Sequence, residues 1–331
     1  MSNKENYLVK RINKNKNIKQ LLTYPSYVEI ETVNACNARC PMCTINDWER
    51  NYPIMKDDVW SKVSEDIIKN KNLIKRVSLY RDGEPLIDKK MAKRIYKLHQ
   101  NGIKNTSIAT NVSLLNEKRA TELLEAGLGM VIFSIDSLKK DVFEKIRVRL
   151  NFEEVRDNAI KFLQLRDKIN PNCRVWIRMI RQDSNFNEWD NYYDFWRKHT
   201  SEIDRIYYHN IFNWGGQLDN FKSISKSFEP NLPCVALWSL MVIFANGDVP
   251  LCNVDYNNKY PTGSIMKNSI KELWQSKIMN ARRKLHLNDN KKDISICANC
   301  NVWDEVAGEE IISPEFAEKV SILNSESKIQ E

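Results

Sequence analysis

The chain has no apolar run of about eighteen residues or more, the length a helix needs to cross a bilayer, so no membrane span is expected. Its opening stretch, Met1 to Gln20, is rich in Lys and Asn and carries no apolar core of the secretory kind. Histidine is scarce: His99, His199, His209 and His286 are scattered, and none pairs with another at a metal-binding interval. No arginine-rich tract or stripe of basic and aromatic residues is present, which argues against a nucleic-acid partner. The net charge of +8 is modest over 331 residues; it serves solubility, or draws in an anionic substrate or an acidic electron carrier. A chain of this length can bury one barrel-sized core and still carry a smaller second module.

Cysteine, by contrast, is plentiful. Three of the eight lie in the run Glu31-Thr-Val-Asn-Ala-Cys36-Asn-Ala-Arg-Cys40-Pro-Met-Cys43, a C-x3-C-x2-C spacing. Three thiolates on one tight loop hold three corners of a cubane iron–sulfur cluster and leave the fourth iron open. A structural zinc or a ferredoxin cluster takes four protein ligands. Zinc completed by a distant histidine is the competing reading of the spacing. With no secretion signal, cysteines at such spacings are expected to be metal ligands in a reducing cytoplasm, not disulfides.

Short apolar runs alternate with amphipathic helical patterns. Strands are expected over 27–33, 76–80, 106–110, 130–135, 174–180 and 205–211, and helices over 57–71, 89–100, 116–125, 152–168 and 187–200. Asn116 and Asn187 are candidate helix N-caps, and Gly102 and Gly127 stand where a left-handed C-terminal cap wants glycine. Such alternation predicts an α/β fold, a partial (β/α)6 TIM-like barrel whose active site gathers at the C-terminal strand ends. The expected organisation is a basic N-terminal extension over 1–24, the barrel over 25–225, and a small cysteine-rich module over 226–331.

The cysteine loop, placed after the first expected strand, resembles the signature of the radical S-adenosylmethionine (AdoMet) enzymes, and the likeness extends along the barrel. Tyr80-Arg-Asp-Gly-Glu-Pro-Leu86 is similar to the family's Gly-Gly-Glu-Pro segment, with Asp82 in place of the first glycine. The resemblance implies that Glu84 binds the methionine amino group. Asn111 after Thr110, Ser134 and Asp136 sit where family members contact AdoMet, and Arg147 is placed to meet its carboxylate. Met42 stands where the family usually has an aromatic residue, and its soft apolar side chain should still pack against adenine. Cys36, Cys40 and Cys43 would hold a 4Fe–4S cluster that chelates AdoMet. One electron then cleaves the sulfonium C–S bond, and the 5′-deoxyadenosyl radical takes a hydrogen atom from a C–H bond.

The remaining cysteines form a second set. Cys234, Cys252, Cys297 and Cys300 lie at intervals of 18, 45 and 3. On spacing alone they suit zinc and a fully ligated iron–sulfur cluster equally. Phe244-Ala-Asn-Gly-Asp-Val-Pro-Leu-Cys252 reads as a β-hairpin around Asn246-Gly247, and Gly263-Ser-Ile-Met-Lys-Asn-Ser-Ile-Lys-Glu-Leu-Trp274 follows. This region resembles the SPASM/twitch extension of radical AdoMet enzymes in a short form. The resemblance implies one auxiliary 4Fe–4S cluster, two clusters in all, and a flavodoxin or ferredoxin-type electron donor.

The auxiliary pattern looks most like that of the aminocyclitol dehydrogenases of this superfamily, which points to a carbohydrate-like small-molecule substrate. Oxidation or epimerisation of a secondary alcohol needs a base or cation near the reacting carbon. Arg178, Arg181 and His209, near the ends of the fifth and sixth strands, are the candidates. Alternatives are a peptide- or protein-modifying enzyme of the same superfamily and a non-catalytic zinc or iron–sulfur protein. Cys173, outside both sets, is expected to be passive. Phe212-Asn-Trp-Gly-Gly216 is either a substrate loop or a plain turn, and Arg282-Arg283-Lys284 is expected to be a solvated helix face.

Overall fold

The computed structural model describes residues 2–211, 213–218, 232–298 and 300; Phe212 of the candidate substrate loop lies outside them. The chain opens with two helices, α1 (Asn3–Ile12) and α2 (Ile18–Leu21), each begun by a reciprocal capping box, Ser2 with Glu5 and Asn17 with Gln20. The expected basic extension is therefore folded. Leu8, Val9, Ile12 and Leu21 are buried while the lysines stay outside, and Lys4 Nζ donates to Leu287 O at 2.8 Å. A ten-residue helix with three buried positions is easily masked by its polar majority.

Strands and helices then alternate: β1 (Tyr27–Ile30), α3 (Asp57–Lys69), β2 (Arg76–Ser78), α4 (Met91–Gln100), β3 (Thr106–Thr110), α5 (Glu117–Glu125) and β4 (Met130–Ser134). The run continues with α6 (Lys140–Ile146), α7 (Phe152–Ile169), β5 (Arg174–Arg181), α8 (Trp189–Arg197) and β6 (Arg205–Asn210). Asn116 caps α5 through the backbone N–H of Arg119, as expected. Asn187 caps nothing. It lies inside a 3-10 turn, Asp183–Glu188, that Gln182 and Asn185 close, so α8 starts later than its periodicity suggests.

The sheet order is β6-β5-β4-β3-β2-β1-β7, parallel throughout. The seventh strand is the main departure from the six-unit expectation. It comes from the cysteine-rich region: after α9 (Ala236–Ser239), β7 (Leu240–Ile243) pairs with β1, Val28 opposite Met241. The expected turn forms, with Gly247 at φ +87° and Phe244 N donating to Asp248 O at 2.9 Å. Its two arms part into different sheets, however: β8 (Asp248–Val249) runs antiparallel to β9 (Gly263–Ser264). Helices α10 (Ile270–Trp274), α11 (Lys277–Leu287) and α12 (Ser295–Ala298) complete the module. Arg283 is not solvated; it is buried against the Trp274 ring at 4.3 Å and donates to Leu237 O and Trp274 O. No helix among the described residues is long and apolar enough to cross a membrane.

Strand alternation sorts side chains between the two faces of the sheet. Met130, Ile132, Trp176 and Tyr207 form a small cluster of their own, while Val131, Phe133, Val175 and Ile177 join the larger core. Arg178 and Ile180 share the parity of Trp176, and His209 that of Tyr207. This places them above the small cluster, at the C-terminal end of the strands.

Candidate active site

The cysteine loop leaves β1 and is tied down by its own polar groups. Cys43 N donates to Cys40 O at 3.0 Å, and Arg39 Nη1 donates to the carbonyls of Cys36 and Ala38. The segment after β2 presses on it from the side: Glu84 N donates to Ala35 O at 2.8 Å. A Cβ on Gly83 would stand 2.4 Å from Val33 O and 2.6 Å from Ala35 O, so glycine is required there.

Cys36, Cys40 and Cys43 open into one cavity of about 210 Å³, together with Met42, Glu84, Asn111, Ser134, Arg147, Arg178 and His209. Burial pushes the Cys36 thiol up to about 11 and the Cys43 thiol up to about 12, and raises Cys40 as well. Cys36 and Cys43 are each raised further by Cys40. Three neighbouring thiols in so dry a place lose their protons readily only to a metal centre.

The AdoMet residues implied by the sequence divide into two groups. Glu84, Asn111, Ser134, Arg147 and Met42 line the cavity; Asp136 does not. Asp136 is fully buried behind it, with Oδ2 2.6 Å from Arg147 Nε and Oδ1 accepting from Ile180 N at 2.7 Å. It therefore orients Arg147. Arg147 Nη1 lies 3.8 Å from Cys40 Sγ, and its buried Nη2 has no hydrogen-bond partner among the described residues. A buried donor left open next to the cavity fits an anionic ligand group such as a carboxylate.

Glu84 is almost fully buried and accepts from Thr110 Oγ1 and Asn111 N, both at 2.8 Å, and from Leu86 N at 3.1 Å. Desolvation nevertheless pushes its carboxyl up to about 7. A carboxyl raised in the fold favours the folded state at acid pH, and that contribution is lost as pH rises through about 7. A ligand amino group donating to Glu84 needs the ionised form. AdoMet affinity is thus expected to weaken by up to about tenfold per unit as pH falls below 7. Equilibrium dialysis across pH 6 to 8 checks this, and Glu84→Gln should flatten the profile.

Asn111 Nδ2 donates to Asn37 Oδ1 at 2.8 Å and lies 3.9 Å from Cys36 Sγ, joining the β3 end to the cysteine loop. The next residue, Val112, is held at φ +70°, a conformation a β-branched side chain rarely adopts. Arg178 Nη2 donates to Ser134 Oγ at 2.8 Å, and His209 Nδ1 lies 2.9 Å from Asn210 O. Arg181, by contrast, is not brought to the cavity. It has the opposite parity on β5 and lies over the Tyr208 and Phe186 rings at 4.2 and 4.6 Å. Cys173, fully buried, precedes β5 at the far end of the sheet.

Residues 30–179 match the radical SAM superfamily, and residues 234–301 match SPASM, an iron–sulfur cluster-binding domain. The chain belongs to the radical SAM superfamily. Membership implies iron–sulfur and AdoMet cofactors, and the three thiols, Glu84 and the open nitrogen of Arg147 suit them. Radical SAM relatives include the tungsten-containing aldehyde ferredoxin oxidoreductase cofactor-modifying protein of Pyrococcus furiosus, 31% identical over 112 residues. That match covers 34% of this chain and 31% of the relative, so this chain spans about a third of it. The 2-deoxy-scyllo-inosamine dehydrogenase of Niallia circulans is 22% identical over 277 residues, covering 83% of this chain and 92% of the relative. The structure of BtrN in complex with AdoMet and 2-DOIA aligns with a TM-score of 0.59 at 22% identity, over 83% of this chain and 92% of that one. AdoMet-bound anSMEcpe aligns with a TM-score of 0.58 at 18% identity, over 80% and 81%. These structural likenesses show a shared fold.

The SPASM cysteines lie near enough to feel one another electrostatically. Cys252 is influenced by Cys234 and Cys300, and Cys297 by all three others, with burial raising Cys234, Cys252 and Cys297. Cys234 N donates to His286 Nδ1 at 3.1 Å. Asn253 and Val254, the two residues after Cys252, line the same cavity as the first cysteine triplet. Trp214 bridges the two regions: its Nε1 donates to Met42 O at 3.1 Å, and its ring stands edge-on to Tyr256.

Sequence reasoning overlooked a buried ionic chain along this wall. Arg50 holds Glu31 with two bonds of 2.8 and 2.6 Å and stands 3.5 Å from Asp82; Arg81 lies 3.3 Å from Asp82 and 3.8 Å from Glu29. The available signal was two carboxylates, Glu29 and Glu31, on one face of an otherwise apolar first strand.

Proposed function

We propose that this radical SAM protein is a dehydrogenase that oxidises a secondary alcohol of a sugar or aminocyclitol, using two 4Fe–4S clusters. The observation that carries this reading is the shared wall: the residues following Cys252 border the cavity into which Cys36, Cys40 and Cys43 open. The likeness to 2-deoxy-scyllo-inosamine dehydrogenase over most of both chains supports the substrate class.

The first cluster with AdoMet bound supplies one-electron cleavage of the sulfonium and hydrogen-atom abstraction. This chain's part is placement. Cys36, Cys40 and Cys43 would hold the first cluster, and Cys234, Cys252, Cys297 and Cys300 the second. Glu84 would accept from the amino group of AdoMet, Arg147 Nη2 would donate to its carboxylate, and Met42 would border the adenine. Arg178, a cation on the cavity wall, would favour negative charge on the carbinol oxygen as its proton leaves, and His209, on the same cavity, would take that proton. Among the described residues the cavity offers no thiol beyond the three cluster cysteines. Cys173 is remote, which favours oxidation over epimerisation by a returning thiol. The electron donor is a flavodoxin or ferredoxin-type protein.

Anaerobic reconstitution is expected to give about eight irons per chain. In the reconstituted enzyme, Cys252→Ala should keep AdoMet cleavage and lose ketone formation. Undiminished ketone formation by that variant would remove the auxiliary cluster from the reaction.

A further inference from the structure

The first glycine of the family's Gly-Gly-Glu-Pro segment is an aspartate here, and its side chain has no solvent exposure. Asp82 borders the cavity beside Glu84. Neither of its carboxylate oxygens has a hydrogen-bond partner among the described residues. Arg81 at 3.3 Å and Arg50 at 3.5 Å supply counter-charge without hydrogen-bond geometry. A carboxylate accepts donors on both of its oxygens. Leaving such acceptors dry is costly, and buried polar groups in folded proteins nearly always find partners.

Position narrows the choice of partner. Asp82 lines the same cavity as Cys43 of the first set and as Asn253 and Val254, the two residues that follow Cys252 of the second. It therefore stands between the two cysteine sets, on the wall that a substrate held between them must touch. Its charge is already offset by two arginines, so the fitting ligand group is a neutral donor. An anionic group suits the arginines elsewhere on the cavity wall, not a carboxylate with Glu84 beside it.

We propose that Asp82 is a substrate-binding, specificity-determining residue that accepts hydrogen bonds from ring hydroxyls of a polyol substrate. This rests on the alcohol-oxidation reading and adds the contact that selects the substrate. It assigns a role to the one position where the motif departs from glycine to a charged side chain.

The test uses reconstituted holoenzyme with AdoMet and no reductant, so that nothing turns over. 2-Deoxy-scyllo-inosamine is the probe, and its binding is measured by equilibrium dialysis to wild type, Asp82→Asn and Asp82→Gly. Both substitutions are expected to weaken probe binding about tenfold or more, the effect of losing hydrogen bonds to a charged acceptor. AdoMet affinity, measured in parallel, should stay at the wild-type value. This selective loss separates a contact with substrate from general damage to the site. Equal probe binding by wild type and both variants overturns the role of Asp82 and leaves the proposed reaction standing. Failure of wild type to bind the probe overturns the substrate class, and the assignment of Asp82 with it.

Discussion

Gly83→Ala is expected to cost about 3 kcal/mol of stability and to empty the first cluster site. The added methyl carbon would meet the carbonyl oxygens of Val33 and Ala35 at 2.4 and 2.6 Å and the nitrogen of Ala35 at 3.0 Å. All three are backbone atoms of the turn that delivers Cys36, so no side-chain rotation relieves the overlap. Relief requires moving either that turn or the strand end carrying Glu84, whose N–H is bonded to Ala35 O. Either movement separates the cysteines from the residues that face them. Urea unfolding and iron analysis of the reconstituted protein check the prediction. The variant should retain about four irons, those of the auxiliary set, where wild type holds about eight. Full iron content with an unchanged midpoint would show that the loop tolerates the displacement.

Asp136→Ala is the second large effect. It strips a fully buried counter-ion from Arg147, and a buried charge left without its partner costs about 3–5 kcal/mol. Arg147 Nη2 has no partner among the described residues and is the nitrogen proposed to meet the AdoMet carboxylate, so ligand affinity should fall along with stability. The variant also loses the acceptor for Ile180 N, which anchors the upper end of β5 beside Arg178. Asp136→Asn retains an acceptor oxygen and should lose clearly less stability while still weakening AdoMet binding. Comparing urea midpoints and AdoMet dissociation constants for the two variants separates lost charge from lost hydrogen bonding. If Asp136→Ala bound AdoMet as wild type does, Arg147 would not depend on Asp136 for its placement.

Much of the site was legible because its parts lie on local sequence signals. The C-x3-C-x2-C run, the Gly-Glu-Pro stretch and the Thr110-Asn111 pair each stand at the end of a strand whose apolar run and turn are plain. Features set by long-range pairing were hidden. Leu240–Ile243 reads as one arm of a hairpin, yet it joins β1, more than two hundred residues earlier in the chain. Nothing local says which partner wins. Arg178 and Arg181 looked equivalent until the strand's faces were known; parity alone sends one to the cavity and the other to an aromatic pocket. A basic triplet such as Arg282-Arg283-Lys284 reads as a solvated face, but Trp274 and two carbonyls hold Arg283 inside. The ionic chain from Glu31 to Asp82 unites three segments separate in sequence, and only the fold brings them together.

The central claim is that Cys36, Cys40 and Cys43 hold a cluster that binds and cleaves AdoMet. Its most direct test is the formation of 5′-deoxyadenosine by the anaerobically reconstituted, dithionite-reduced protein. Production of 5′-deoxyadenosine by wild type, and none by Cys40→Ala, is the predicted result. Equal production by the two proteins, or a wild-type chain that purifies with zinc and leaves AdoMet intact, would contradict the account.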